Sequence, residues 1–221
     1  TVFFEGSYSS PRAIEAGVPQ GSHLGPLLFD IFMTDMPRLH HVKPWAYADD
    51  LAFTVVTKHA SQRLQMMLDL IDQWAISKKL SLNVPKCAVL KTGIQTPIVL
   101  TVRGQVIPQT TRFLYLGVPM TPHIRPTVVI HHRITKLRQM ISWAKRINQF
   151  VTSPEAAVQL FKPYVLPVGE YCAPMSSLSS VTHLRRYTSV FLILLKTLLT
   201  ISLRSRNTQV LAELDMTRPH E

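Results

Sequence analysis

Cysteine and glycine are scarce in this 221-residue chain, which has two cysteines and eight glycines. The cysteines, Cys87 and Cys172, lie far apart and form no C-x-x-C pair, so the sequence supports neither a disulfide framework nor a zinc module. A reducing compartment inside the cell, nucleus or cytoplasm, is the expected location. Proline is frequent, with 16 residues, and together with the low glycine content it predicts rigid corners between packed elements.

Long apolar runs are also absent. The longest, Phe191 to Ile201, has eleven residues and contains Lys196, whereas a membrane span needs ~20 residues. It predicts a buried helix, and we expect no membrane partner. A composition of 46% hydrophobic and 17% charged residues is typical of a globular protein and excludes disordered and collagen-like classes. Since the chain begins at Thr1 rather than at a methionine, we expect it to be a piece of a longer reading frame.

Acidic residues are few after the first fifty positions. Residues 1–50 carry a formal charge of −3, residues 51–122 carry +6 and residues 123–221 carry +8, which together give the net charge of +11. A polyanion such as nucleic acid is the natural partner of the basic part, because binding it releases counterions. A surface that is basic only for solubility is the alternative, and composition does not separate the two.

Alternating and helical periodicities predict an α+β fold. Strand-like segments and helices share the first part of the chain, and only helices follow the prolines at 119, 122 and 126, so we place a domain boundary after residue 122. The predicted strands are residues 1–4, 45–47, 51–57, 87–91, 98–102, 105–107 and 113–118. The predicted helices are, approximately, residues 24–36, 61–79, 130–146, 154–164 and 181–200.

Local signals fix the ends of some of these elements. Ser22 is the expected N-cap of the first helix, whose apolar side chains should pack against something large. Ser153, Pro154 and Glu155 combine an N-cap, a proline at the first helical position and an acid in the first turn. The dipeptide 103–104, Arg-Gly, predicts a tight turn between two strands.

Two adjacent carboxylates, Asp49 and Asp50, lie where two strand-like segments meet. Successive side chains of a regular strand point to opposite faces, but at a turn both can be directed at one shared site. Like charges this close repel each other, and a divalent cation is the usual way to keep both ionised. An ordinary solvated Asp-Asp turn is the alternative reading of the dipeptide alone.

Four sequence blocks occur in an order that is characteristic of one family. They are GVPQGSHLGPLLFDIFMTDMP at 17–37, YADD at 47–50, SKKLSLNVPKC at 77–87 and FLYLGV at 113–118. In this order the chain resembles the latter part of a reverse transcriptase, and the wording of the first and last blocks is most similar to the non-LTR (LINE-like, jockey-like) retrotransposon enzymes. The later PVGEYCAP block extends the resemblance, more loosely, over nearly the whole chain. Group II intron-type enzymes, which share YADD, are the second family considered.

The resemblance implies a partial polymerase palm, an antiparallel sheet with packed helices, over residues 1–122, and an all-helical thumb over residues 123–221. It implies RNA-directed DNA synthesis from an RNA template, a DNA primer and dNTPs, with two Mg²⁺ ions in the complete enzyme. Asp49 and Asp50 would be the catalytic, metal-binding pair, and carboxylate oxygens suit this hard cation. The other implied contacts are nucleotide or template (Pro19, Gln20, Gly21, Ser22, Tyr47, Lys86), primer (Leu116, Gly117) and nucleic-acid backbone (Lys136, Arg138, Lys145, Arg146).

The chain also departs from the family pattern. A complete palm needs a third aspartate from an earlier strand and a fingers region, and the acids that precede the first block, Glu5 and Glu15, stand in no such motif. The glycine expected after the thumb-side tyrosine is Cys172. We therefore expect this chain to be inactive by itself. A non-catalytic nucleic-acid-binding remnant of such a polymerase is the alternative function.

Overall fold

A computed structural model describes residues 3–13, 17–18, 21–93, 96–123 and 125–217. The chain divides into two compact units, one of residues 1–89 and 95–110 and one of residues 90–94 and 111–221. Strands and helices occur together in the first unit and helices predominate in the second, as the periodicities predicted. The α+β class is therefore confirmed. The division after residue 110 lies upstream of the predicted boundary at 122, because the segment 111–122 packs with the helices that follow it. The names palm and thumb stay predictions.

The first unit contains short strands and two helices. In chain order these are β1 (Phe3–Phe4), β2 (Ser7–Tyr8), α1 (Gly25–Met33), β3 (Val42–Tyr47), β4 (Asp50–Val55), α2 (Ala60–Ser77), β5 (Val89–Leu90, of which only Val89 belongs to this unit), β6 (Leu100–Val102), β7 (Gln105–Ile107) and β8 (Gln109–Thr110). Strands β1 and β2, β3 and β4, and β6 and β7 form three antiparallel ribbons. The predicted turn between β6 and β7 is confirmed, with both Arg103 and Gly104 at positive φ (50° and 75°).

Helix α2 is the packing centre of the first unit. Its buried side chains Met67, Ile71 and Ala75 recur at intervals of four, as the predicted apolar stripe requires. Met67 and Ile71 cover Val42 of β3. A second cluster, of Val84, Val89, Leu100, Val102 and Ile107, also receives side chains from this helix.

Helix α1 differs from the expectation for it. Its N-cap is Leu24 rather than Ser22, and no side chain caps it. Leu27 and Ile31 are more than half exposed, so the apolar face predicted to pack against something large is open in the described structure. Phe32 of this helix does make a contact, with its ring 6.0 Å from that of Trp74. The spacing of apolar residues predicted the helix correctly, but spacing alone does not supply the surface that covers it.

The second unit is a hairpin followed by helices. Its elements are β9 (Phe113–Tyr115), β10 (Val118–Met120), α3 (Pro126–Gln139), α4 (Ile141–Ile147), α5 (Pro154–Tyr164), α6 (Leu166–Glu170), α7 (Ala173–Ser177), α8 (Val181–Leu198) and α9 (Asn207–Glu213). Strands β9 and β10 pair antiparallel, so the segment predicted as a single strand, 113–118, is a hairpin that turns at Leu116 and Gly117. Residues 130–146, predicted as one helix, are divided between α3 and α4 at Met140.

The core of the helical part is formed around α8. Its residues Phe191, Leu194, Leu195 and Leu198 are almost fully buried, as the apolar run predicted. The rings of Phe161 in α5 and Phe191 meet edge to face at 4.7 Å. None of the helices in the described residues has the length and apolar character that a membrane crossing requires.

Two features of this unit concern its helix ends. The predicted cap of α5 is confirmed, since the Ser153 hydroxyl accepts the N–H of Ala156 at 3.2 Å. Lys196, inside the apolar run, is 3% exposed, and its ammonium donates to Leu203 O, Ser205 O and Asn207 Oδ1 at 3.1, 2.6 and 2.6 Å. Lys196 thereby holds the loop after α8 against the core. That loop leads into α9, a helix that the sequence did not predict.

Candidate active site

The two adjacent aspartates lie at the tip of the β3–β4 hairpin. Tyr47 and Asp50 form its last paired residues, so Ala48 and Asp49 make a two-residue turn. Ala48 has φ of 49°, which is the left-handed conformation that such tight hairpin turns require. The predicted hairpin is therefore confirmed, with Asp49 in the turn itself and Asp50 at the first position of β4.

Packing at the base of the hairpin leaves this tip in solvent. Val42 is buried against α2, and Phe53 and Val55 are packed on the same cluster. Tyr47, Asp49 and Asp50 are all exposed. A rigid base with a solvent-exposed acidic tip can present both carboxylates to an approaching ligand.

The middle of the hairpin is fixed by a polar cross-strand contact. The indole N–H of Trp45 donates to the Thr54 hydroxyl at 3.0 Å, and the Lys43 ammonium lies 4.1 Å from the centre of the same indole. Cross-strand contacts of this kind stabilise the register of an antiparallel pair. The register in turn places the two aspartates at the turn rather than along a strand face.

The carboxylates of Asp49 and Asp50 have neither a hydrogen bond nor an ion pair within the described residues. Both offer hard oxygen ligands, which fit a divalent cation such as Mg²⁺. In the described part of the chain no group of three or more acidic, histidine or cysteine side chains is placed to hold a metal ion. The two aspartates are thus suitable ligands for Mg²⁺, but no third such ligand joins them in the described residues.

Among the described residues, no hydrogen bond or ion pair joins the remaining predicted residues of the first unit to one another. Pro19 and Gln20 lie outside the described residues. Gly21, at φ of 83°, and Ser22 are exposed just before α1. Lys86 is the exposed last residue of a single 3₁₀ turn, 84–86. Within the described residues no side-chain bond joins these groups to the aspartates, so a shared nucleotide site stays a prediction.

The predicted primer residues, Leu116 and Gly117, form the turn of the β9–β10 hairpin, with φ of 46° and 73°. Each of their carbonyl groups accepts a hydrogen bond from a side chain of the helical part. The Tyr171 hydroxyl donates to Leu116 O, and the guanidinium of Arg133 donates to Gly117 O. The turn is thereby attached to α3 and to the segment that follows α6.

The predicted backbone-binding cations lie on α3 and α4. Lys136, Arg138, Lys145 and Arg146 are all exposed, as expected from their position outside the apolar stripe. None of them has a carboxylate partner in the described residues. Burial lowers the pKa of neighbouring His132, and the positive charges of Arg133, Lys136 and Arg112 lower it further. The four exposed side chains contribute positive charge to the surface of α3 and α4.

Sequence reasoning did not single out Arg133 and Tyr171. A signal for Arg133 was available, because it falls between Ile130 and Leu137 on the apolar stripe of α3, and a cation on a buried stripe needs a specific partner. Arg133 is 6% exposed. Tyr171 lies in the PVGEYCAP block, but no local signal indicated its role, since it is 44% exposed and its bond partner is 55 positions away.

Comparison with known proteins gives one family match and several relatives. The model of a family described as reverse transcriptase (RNA-dependent DNA polymerase) matches residues 2–120, more than half of the chain. The RNA-directed DNA polymerase from mobile element jockey of Drosophila funebris is 32% identical over 208 residues, covering 84% of this chain and 22% of that protein. The probable RNA-directed DNA polymerase from transposon BS of Drosophila melanogaster is 32% identical over 158 residues, covering 62% and 17%.

A third relative, the jockey polymerase of Drosophila melanogaster, is 27% identical over 204 residues, with 84% of this chain and 22% of that protein covered. The chain thus spans about a fifth of the length of these relatives. No solved structure matches it. The chain belongs to the reverse transcriptase family, in its non-LTR retrotransposon branch.

Proposed function

We propose that this chain supplies the metal-binding hairpin and the primer-side helical region of an RNA-directed DNA polymerase. In this proposal residues 1–122 belong to the palm and residues 123–221 to the thumb of the longer enzyme. Its substrates are an RNA template, a DNA primer and dNTPs. The observation that carries the proposal is the turn of the β3–β4 hairpin, which places Asp49 and Asp50 side by side in solvent with no partner among the described residues.

In this role Asp49 and Asp50 hold Mg²⁺. The ions, when bound, lower the pKa of the primer 3′-hydroxyl and stabilise the leaving pyrophosphate. The chain's own residues position the reactants. Tyr47, exposed beside the pair, packs against the primer end, and Lys86 offsets phosphate charge near the nucleotide. The segment that includes Pro19, Gln20, Gly21 and Ser22 contacts the nucleotide and template.

The test is primer extension by the polymerase that carries this chain. Changing Asp49→Asn and Asp50→Asn together keeps the shape of the tip and removes both charges. We expect a loss of rate on the order of 10² to 10³ for each lost group, with hybrid binding retained. Asp30→Asn is the matched control, since Asp30 is an exposed aspartate of α1 without an ion pair in the described residues. Extension that survives the double change at the rate of the control refutes the catalytic assignment.

A second candidate function is nucleic-acid binding without catalysis. It is favoured by the absence of a three-ligand acidic cluster in the described residues and by the exposed cations of α3 and α4. Four phosphate contacts would give a slope of log K against log salt of roughly −3 to −4. A salt titration of RNA–DNA hybrid binding with this slope, combined with no Mg²⁺-dependent extension by the longer protein, would support this candidate over the first.

A further inference from the structure

The turn of the β9–β10 hairpin has a conformation that its own sequence does not favour. Leu116 and Gly117 both have positive φ, and only the second is a glycine. A residue with a side chain rarely adopts the left-handed region unless the surrounding structure holds it there. The contacts made by this turn therefore indicate what holds it.

Two side chains hold the turn through its carbonyl groups. Tyr171 Oη donates to Leu116 O at 2.5 Å, and a terminal nitrogen of Arg133 donates to Gly117 O. The two side chains also contact each other, since the guanidinium carbon of Arg133 lies 4.9 Å from the centre of the Tyr171 ring. Arg133 is nearly fully buried, so its position is fixed by packing within α3.

These contacts change what the turn can offer to a ligand. Both of its carbonyl oxygens are occupied, and in the described part of the chain neither the Leu116 N–H nor the Gly117 N–H has a hydrogen-bond partner. Arg133 has no carboxylate partner among the described residues, so its charge is not neutralised locally. A turn with free donors, engaged acceptors and a cation behind it suits an anionic group such as a phosphodiester.

We infer that Arg133 and Tyr171 are positioning residues that hold the Leu116–Gly117 turn in the conformation that binds the terminal phosphodiester of a DNA primer. The inference rests on the proposed function, because the family resemblance behind that function assigns this turn to the primer. It goes further by naming the two side chains that shape the turn. Neither residue needs to touch the primer itself.

The test compares two RNA–DNA hybrids bound to the 221-residue chain, one with a recessed DNA 3′ end and one with blunt ends. Tyr171→Phe removes only the hydroxyl and keeps the ring against Arg133. We expect it to lower the preference for the recessed end by about 2- to 12-fold, the range that one neutral hydrogen bond contributes. Arg133→Lys keeps the charge but loses the planar fork, and we expect it to lower the preference at least as much.

Tyr164→Phe is the matched control. Tyr164 is an exposed tyrosine of α5 whose hydroxyl donates no hydrogen bond in the described residues. We expect this variant to bind both hybrids as the unchanged chain does. Amide hydrogen exchange adds an independent measurement: because neither N–H is hydrogen-bonded in the described residues, exchange at Leu116 and Gly117 should be fast in the free chain and should slow when the recessed hybrid binds, less so in Tyr171→Phe.

A purely structural role predicts a different pattern. If Tyr171→Phe weakens both hybrids equally, or leaves the preference for the recessed end unchanged, the inference is wrong. The same holds if the unchanged chain shows no preference at all. This binding measurement does not depend on catalysis, so a failure of the Asp49 and Asp50 assignment in primer extension leaves it intact, and the two failures are distinguishable.

Discussion

Replacing Lys196 with methionine should destabilise the helical unit by about 2–4 kcal/mol. The buried ammonium makes three hydrogen bonds, two of them at 2.6 Å, to the loop between α8 and α9. Hydrogen bonds to a charged group each contribute roughly 1.5–3 kcal/mol, and the cost of burying the ammonium offsets part of that sum. Methionine preserves the unbranched stem, so the change removes the charge and the bonds with little loss of packing.

Native-state hydrogen exchange is the suitable assay, because it reports on the helical unit separately from the first unit. We expect the amides of Leu194 and Leu195 to exchange roughly 25- to 700-fold faster in Lys196→Met, the range that corresponds to that loss of stability. Lys162→Met changes an exposed lysine of α5 and should alter stability by no more than about 0.5 kcal/mol. If the two variants exchange alike, the three bonds of Lys196 do not stabilise the fold and the reasoning is wrong.

Two further predictions concern backbone conformation and pH. Cys172 has φ of 64° and ψ of 33°, a left-handed conformation that costs a residue with a side chain about 1–2 kcal/mol. Cys172→Gly removes this cost, which exceeds the destabilisation caused by the larger chain entropy of glycine in the unfolded state, so we expect a higher melting temperature. A lowered melting temperature would contradict this. The hydrogen bond from Lys78 holds the pKa of Asp35 below its ordinary value of 3.8. The stability that ionised Asp35 contributes is therefore fully present above pH 3.8, and it is lost as the pH falls through the lower pKa that Asp35 has in the folded chain. Asp35→Asn should therefore flatten the acid limb of a stability–pH profile, and an unchanged limb would exclude this contribution.

The sequence predicted those elements whose signals are local. The β3–β4 hairpin, α2 and the cap of α5 each follow from alternation, from apolar spacing or from a capping residue within a few positions. The position of Asp49 and Asp50 at a turn was predictable for the same reason. Apolar spacing also predicted α1, but it said nothing about whether a partner for that helix lies in the same chain.

The rest depended on contacts between distant residues. The turn at Leu116 and Gly117 interrupts a run of strand-forming residues, and side chains from α3 and from residue 171 support it. The break at Met140 lies within a continuous apolar stripe, so periodicity gave no reason to expect two helices. The short helix α9 follows a loop that is hydrogen-bonded to the buried Lys196. A lysine in an apolar run gives no sequence signal for the residues to which it will bond, so α9 was not predicted.

The side chain of Gln65 forms hydrogen bonds with the outer edge of strand β6 in the β6–β7 ribbon. Its amide donates to Thr101 O at 2.8 Å and accepts from Thr101 N at 2.9 Å, which is the bonding that an additional strand would provide. An uncovered strand edge is a template for aggregation with other chains. A single glutamine of α2 therefore occupies the edge position of Thr101 and protects this small ribbon from pairing with a neighbouring molecule.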